Sequence, residues 1–459
     1  MTFNTPFISF SFLYGIIEPL MRVFYHLLGN TVLASITNMT VWFALIFFAY
    51  LETRSVFVTG IAGGIYLAFV ALSGFWLGSI VDHNRKKTVM MASSAVSLVI
   101  FVLGLMLFLV SPSEVFQDQG SVTLWVFIAL LLFGVIAGNL RTITLPTLVT
   151  ILVPEDVRDK ANGLVGMATG VAFLVVSVIS GLLIGFGGMH YALGFAIVLT
   201  IIAMVHLAFL KIPEREIVHT EDKPKTIDIK GTIKAIRVVP GLLALILFAT
   251  FNNFLGGVFM ALMDAYGLSL VSVQVWGLLW GALSCGFIIG GLAIAKWGLG
   301  KNPLHMLFIT NIVIWSVSAV FTLQPSIILL AVGMFIYICF VPVIEAAEHT
   351  IIQKVVPHER QGRVFGFAQS VEQSASPFMA FLIGPIAQFV FIPFMTTGAG
   401  VALIGDWFGT GPDRGIALVF TVAGVLGLIV TIIAFNSRFY KLLSRQYMKA
   451  PEPVVEKTV

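Results

Sequence analysis

The sequence predicts an all-α polytopic membrane protein with about twelve transmembrane helices in two six-helix bundles, and three observations carry that reading. Of its 459 residues, 58% are hydrophobic and only 10% charged, against roughly 25% charged in a soluble domain. Apolar runs recur at crossing length: residues 55–81 and 88–113 carry no charged side chain, and a bilayer takes roughly 20 residues per helical crossing. Lys and Arg collect on alternate loops, as the positive-inside rule requires.

Taken in order, the spans fall at 24–51, 55–81, 87–111, 122–150, 161–186, 189–211, 241–265, 271–296, 303–323, 325–352, 364–390 and 415–436. Residues 1–23 precede them. The apolar stretch within 1–23 lacks a basic leader and a small-residue cleavage site, so it reads as an interfacial segment rather than a secretory signal. The N-terminal bundle covers 24–211, a polar linker 212–240, the C-terminal bundle 241–436 and a tail 437–459. With both termini in the cytoplasm, Arg22, Arg85, Lys86, Lys87, Arg158, Lys160, the cations from Lys211 to Arg237, Lys296, Lys301, Lys354, Arg360, Arg363 and those from Arg438 to Lys457 all lie inside. Only Arg54 and Arg414 stay outside, and Arg141 falls within a span. The apolar outer segment 391–411 fits either a re-entrant or a surface element. Cys285 and Cys339 lie in apolar runs and read as small packing residues, not as a disulfide or a metal pair.

Between the second and third spans lies a knot of charge, Gly78-Ser79-Ile80-Val81-Asp82-His83-Asn84-Arg85-Lys86-Lys87. Two further phrases echo each other across the linker: Val153-Pro154-Glu155-Asp156 runs on to Gly163, and Val356-Pro357-His358-Glu359 runs on to Gly366. Matching intervals in two halves of even span number indicate a parallel repeat. A fainter echo of the knot, Gly290-Gly291 leading to Lys296 and Lys301, has no Asp, so the acid of the knot stands on one side of the repeat alone.

On the knot, on Leu152 to Gly163 and on Val356-Pro357-His358-Glu359-Arg360-Gln361-Gly362-Arg363-Val364-Phe365, the chain resembles the major facilitator superfamily over nearly its whole length. Within it, the sequence looks most like the drug:proton antiporter branch that includes macrolide-efflux and enterobactin-exporter-like proteins. The resemblance implies alternating access around a midplane cavity. It also implies gating residues: Asp82, with Gly78, Arg85 and Arg363, closing against the inner end of the eleventh helix, which is placed near Arg363 and Val364. Lys86 and Lys87 read as topological charges only. Asn38 stands where many members of that branch carry an acid in the first span.

An ionisable group within a span costs about 2.5–3.5 kcal/mol on insertion scales, so each one is a functional candidate. Arg141 is placed on the cavity as a fixed cation for an anionic group; its alternative role is to bond helix carbonyls. Glu345, Glu348 and His349 share one face of the tenth helix, and Glu372 lies at comparable depth in the eleventh. Carboxylic acids crowded into one desolvated region hold protons that water would take, which is what proton coupling needs. Their alternative role is a polar network that ties helices together. Asn38, Asn252 and Asn253 are candidate substrate contacts, as are Phe251, Phe254, Phe259, Trp276 and Trp280 along an apolar pocket. His206 and Asp264 read as interfacial.

No Walker loop, His-Glu-x-x-His, Cys cluster or Gly-x-Ser-x-Gly occurs, so the sequence calls for no cofactor, metal or catalytic residue. The expected function is proton-coupled efflux of an amphipathic small molecule across a bacterial inner membrane. The expected partners are that substrate, protons and lipids, with no nucleic acid and a monomer sufficing. Alternatives are export of a siderophore or other anion through Arg141, lysolipid transport, a non-transporting receptor or scaffold, and a membrane enzyme built on Glu345, Glu348 and His349.

Overall fold

A computed structural model describes residues 10–53, 56–214 and 229–449. Its first half comprises α1 (Phe10–Thr53), α2 (Val56–His83), α3 (Lys86–Val110), the short α4 (Glu114–Gln117), α5 (Val122–Gly138), α6 (Leu140–Leu152), α7 (Arg158–Gly187) and α8 (Met189–Phe209). A surface helix, α9 (Ile229–Val238), follows the linker. The second half comprises α10 (Leu242–Leu270), α11 (Val273–Trp297), α12 (Pro303–Val320), α13 (Ile327–Val355), α14 (His358–Ile386), the short α15 (Ile392–Thr396) and α16 (Ala399–Phe408), and α17 (Pro412–Asn436). A terminal helix, α18 (Arg438–Lys449), closes the described chain.

Among the described residues, 11 helices are long and apolar enough to cross a membrane, and the bent α2 raises the number to 12. The chain is therefore a multi-pass membrane protein. α5 and α6 form one span, Val122–Leu152, tightened at Asn139 by backbone bonds three residues apart, Asn139 to Ile136 and Thr142 to Asn139. Side-chain caps fix four helix starts, Ser121 for α5, Ser272 for α11, Asn302 for α12 and Ser326 for α13.

Two boundaries differ from the sequence reading. Helix α1 is continuous from Phe10, so residues 10–23 run without a break into the helix of the first span, whose membrane-crossing stretch begins at Leu20. Helix α14 starts at His358 and ends in a π-helical turn over Ala387–Phe391, between Pro385 and Pro393. Segment 391–411 folds as α15, which continues the span His358–Thr396, and the short apolar α16, with Gly411 N–H donating to Met395 O at 2.9 Å. Arg54, residues 215–228 of the linker and the end of the tail lie outside the described residues.

The end that carries Arg85, Lys86, Arg158, Lys354 and Arg360 is called the basic end below. Here one apolar core joins both halves: Val81, Val89 and Ile143 pack in the same cluster as Ile294, Val343, Ile351 and Val364. Toward the opposite end the cores are separate. One holds Val41, Phe48, Phe101, Phe127 and Leu193 of the first half, the other Val258, Tyr266, Trp315, Phe321 and Phe420 of the second. The halves are thus fused at the basic end, where α2 packs on α14 and α7 packs on α11 and α13.

Arg414, which the sequence placed merely on the outer side, is buried. It donates to Phe408 O at 2.6 Å, Tyr266 Oη at 3.2 Å, Thr322 O at 3.0 Å and Leu323 O at 2.8 Å, with its guanidinium 4.2 Å from the Phe408 ring. This one cation ties α16, α10 and the loop after α12 to the start of α17.

Candidate functional site: a closed gate beneath an acidic cleft

The α2–α14 contact is built from glycine. A Cβ on Gly78 would strike Gly362 O and Arg363 Cα, and one on Gly366 would strike Gly74 O, so the two backbones meet directly. That approach brings Asp82, buried at 6% exposure, onto α14. Its Oδ1 accepts from Gly362 N at 2.7 Å and its Oδ2 from Arg363 N at 2.9 Å, with Arg363 Nε 3.4 Å away. His83 adds a ring-nitrogen contact to Arg363 Nη2 at 3.3 Å. Because α14 begins at His358, these N–H groups lie a turn inside the helix and not at its free end. The absent side chain of Gly362 is what exposes them, since a Cβ there would meet Asp82 Oδ1. The dipole of the helix N-terminus still favours the carboxylate.

Gly78, Asp82 and Arg363 are thus brought together, whereas Arg85 is exposed and takes no part in these bonds. The two neighbouring lysines do more than set topology. Lys86 Nζ is turned back to Val81 O at 2.6 Å, and Lys87 Nζ closes the end of α8 through Ala208 O at 2.9 Å and Leu210 O at 2.6 Å. The Glu214 carboxylate receives the free N–H groups of Lys86 and Lys87 at 2.5 and 2.6 Å, capping α3.

A second contact joins α7 to α11 and α13. A Cβ on Gly163 would strike Ile294, and one on Gly291 would strike Gly163 O. Beside these glycines runs a buried polar chain. Asn162 Nδ2 donates to Thr350 Oγ1 and Gln353 Oε1, both at 2.8 Å; Gln353 Nε2 donates to Pro146 O at 2.9 Å; Gln361 Nε2 donates to Gln353 O and Val356 O, both at 3.0 Å; and Thr150 Oγ1 donates to Gln361 Oε1 at 2.8 Å. Four helices from the two halves share this network, and Lys354–Glu155, at 2.6 Å, flanks it. The Tyr447 ring of α18 lies 4.7 Å under Lys354, and burial pushes its hydroxyl up to about 12, which keeps the ring neutral. Sequence reasoning missed Asn162, Gln353 and Gln361. A signal existed for two of them: Asn162 and Gln361 directly precede glycines, Gly163 and Gly362, in the repeated phrases.

Above this seal the halves part. Thr142, in mid-span on α6, is exposed although it bonds across to Gln369 Nε2 at 3.1 Å, so the pair forms the floor of a cleft. Glu345 on α13 is exposed although it lies within its span. Behind it, the carboxyl groups of Glu348 and Glu372 lie side by side, each with one oxygen buried, and all three acids lie within electrostatic reach. The structure therefore brings Glu345, Glu348 and Glu372 together, but not His349, whose ring turns edge-on to Phe365 at 5.3 Å.

The candidate substrate contacts are not brought together. Arg141 is buried in the first half, donating to Asn30 Oδ1 at 2.7 Å and Ser94 Oγ at 2.6 Å, so it ties α1 to α3 instead of lining the cleft. Asn38 donates to Val135 O at 2.8 Å, packed against Gly138. Asn252 bonds Phe248 O and accepts from Trp315 Nε1 at 2.7 Å; Asn253 bonds Ala249 O, and its own carbonyl accepts from Ser376. Each is spent on helix packing. Of the candidate pocket aromatics, Phe259 stacks in the second-half core on Phe321 and Phe420, and Trp276 and Trp280 donate to Asp264.

Comparison with known proteins gives one family. The model for the Major Facilitator Superfamily matches residues 27–381. Macrolide efflux protein A of Streptococcus pyogenes is 23% identical over 367 residues, covering 77% of this chain and 86% of the relative. Among solved structures, a bacterial homologue of the iron transporter ferroportin in its outward-facing state is similar with a TM-score of 0.67 at 12% identity, over 90% of this chain and 100% of that one. The human organic anion transporter MFSD10 (TETRAN) is similar with a TM-score of 0.65 at 13% identity, over 93% and 99%. At these identities the structures speak for the fold.

Proposed function

Because the chain belongs to the Major Facilitator Superfamily and is a transporter, not an enzyme, we propose that it is a proton-coupled exporter of a neutral or cationic amphipathic small molecule. Macrolide-like compounds are the first class to test, given the efflux relative. The observation that carries the proposal is the acid group at the base of the cleft: Glu345 open to it, and the carboxyl groups of Glu348 and Glu372 side by side behind, each with one oxygen buried. Such a group takes up a proton when the cleft faces one side and loses it when exposed to the other. The charge offered to a cargo is Glu345, since Arg141 is turned into the first half, and this disfavours an anionic cargo. The cation distribution supports a basic end in the cytoplasm of a bacterial inner membrane, with both termini there. On that orientation the fused end is the inner gate and the state is outward-facing.

Purified protein in liposomes should move such a compound when a pH gradient is imposed and stop when the gradient is collapsed. Glu345→Gln and Glu372→Gln should each abolish gradient-driven flux; wild-type flux in both would sink the proton role of the cluster.

A further inference from the structure

The gate has a second carboxylate latch, built in reverse. At the junction of α7 and α11, Asp159 places Oδ1 on Lys160 N of its own helix at 2.8 Å, and its Oδ2 accepts from Leu299 N, across the interface, at 2.6 Å. Leu299 follows Gly298, whose positive φ of 72° turns the chain as α11 ends, and a Cβ on Gly298 would collide with the Asp159 carboxylate. Leu299 itself is buried at 2% exposure, so its N–H has no access to water to compensate for losing Asp159.

The repeat fixes the correspondence. Val153, Pro154 and Gly163 match Val356, Pro357 and Gly366, and the same register sets Asp159 on Gly362. On the other helices, Gly74 faces Gly366 O as Gly291 faces Gly163 O. Asp82 stands eight residues after Gly74, and Leu299 eight after Gly291. At the α2–α14 seam the acid is on the exit of α2 and the amide on α14. At the α7–α11 seam those places are exchanged: the amide is on the exit of α11 and the acid on α7. The missing Asp of the second knot is therefore not a loss of function there.

We propose that Asp159 is a gating residue equivalent to Asp82, and that both carboxylates must let go of the opposite half before the basic end opens. A latch on one seam alone would let the halves pivot about it; one on each seam makes release concerted. This rests on reading the basic end as a gate, and the test separates the two.

Spin labels on Asn84→Cys and Lys301→Cys, exposed sites in opposite halves, report the width of the basic end in a Cys285→Ala, Cys339→Ala background in lipid nanodiscs. Asp159→Ala should lower the closed-to-open ratio about tenfold, the effect of losing one hydrogen bond to a charged acceptor, and Asp82→Ala, which loses two, should lower it further. The decisive variant moves the acid: Asp159→Gly with Leu299→Asp copies the Asp82–Gly362 arrangement and should return the ratio to within about threefold of wild type, since the charge-assisted bond is re-formed. If Asp159 merely capped α7, that double variant would stay open, and the proposal would be overturned. Wild-type distances in Asp159→Ala alongside opening in Asp82→Ala would also overturn it. Wild-type distances in both would overturn the gate reading and the second latch with it.

Discussion

At the scale of single residues, the glycines of the α2–α14 contact set what Asp82 can reach. Gly362→Ala should push the carboxylate off both amides, so the variant should label faster than wild type at a cysteine placed in the basic-end seal. Unchanged labelling would show that the helices part without cost. Arg414 makes the opposite point, since its charge is spent wholly on structure. Arg414→Met should lower stability by about 2–4 kcal/mol, because carbonyls left buried without donors are not compensated; a melting curve in detergent checks it. The contrast with Arg141 explains what the sequence could and could not say. Depth in a span marks both arginines as costly, but which helix face they sit on depends on rotation and packing. Asn30 and Ser94, the partners that make Arg141 structural, lie on two other helices. The motif Gly78–Asp82 was legible because its residues adjoin in sequence and its chemistry is local.

At the scale of elements, the gate rests on helix pairs whose partners lie far apart in the chain. Asn162 and Gln353 are 191 positions apart, and no periodicity within either helix announces that they meet. The spans themselves were legible, since hydropathy is summed over a whole element. The ends were less so: α14 starts before the apolar stretch because Glu359 and Arg360 are good helix formers that need no burial to stay helical, and the buried Gln361 is held by its hydrogen bonds to α13 and α6. One element has an unexpected fastening. Glu214, the last described residue before the linker's undescribed part, caps α3 from behind α8. Glu214→Ala should cost about 0.5–2 kcal/mol, the usual price of a lost cap, and hydrogen exchange should rise at Lys86 and Lys87 while the amides of α10 stay protected. Equal exchange at all sites would refute the assignment.

At the scale of the whole molecule, the two halves share a core at one end only, so movement must exchange that core for contacts at the other. Cross-linking the fused end should arrest this. With Cys285 and Cys339 removed, Asn162→Cys and Thr350→Cys, whose native side chains bond at 2.8 Å, should block flux when oxidised and release it on reduction; flux that ignores the oxidant would exclude movement at this seam. Helix α14 carries both Gly362, where Asp82 holds on, and Glu372, the proposed proton site. Nine residues of helix separate Arg363 from Glu372, about 13 Å of stiff rod at 1.5 Å per residue. Two equilibria written on one rigid body are thermodynamically reciprocal. Whatever free energy protonation of the acids lends to opening, opening must lend back to protonation. Loosening Asp82 should therefore change the proton affinity of a site it never touches, and the pH dependence of flux in Asp82→Asn should be displaced from that of the wild type.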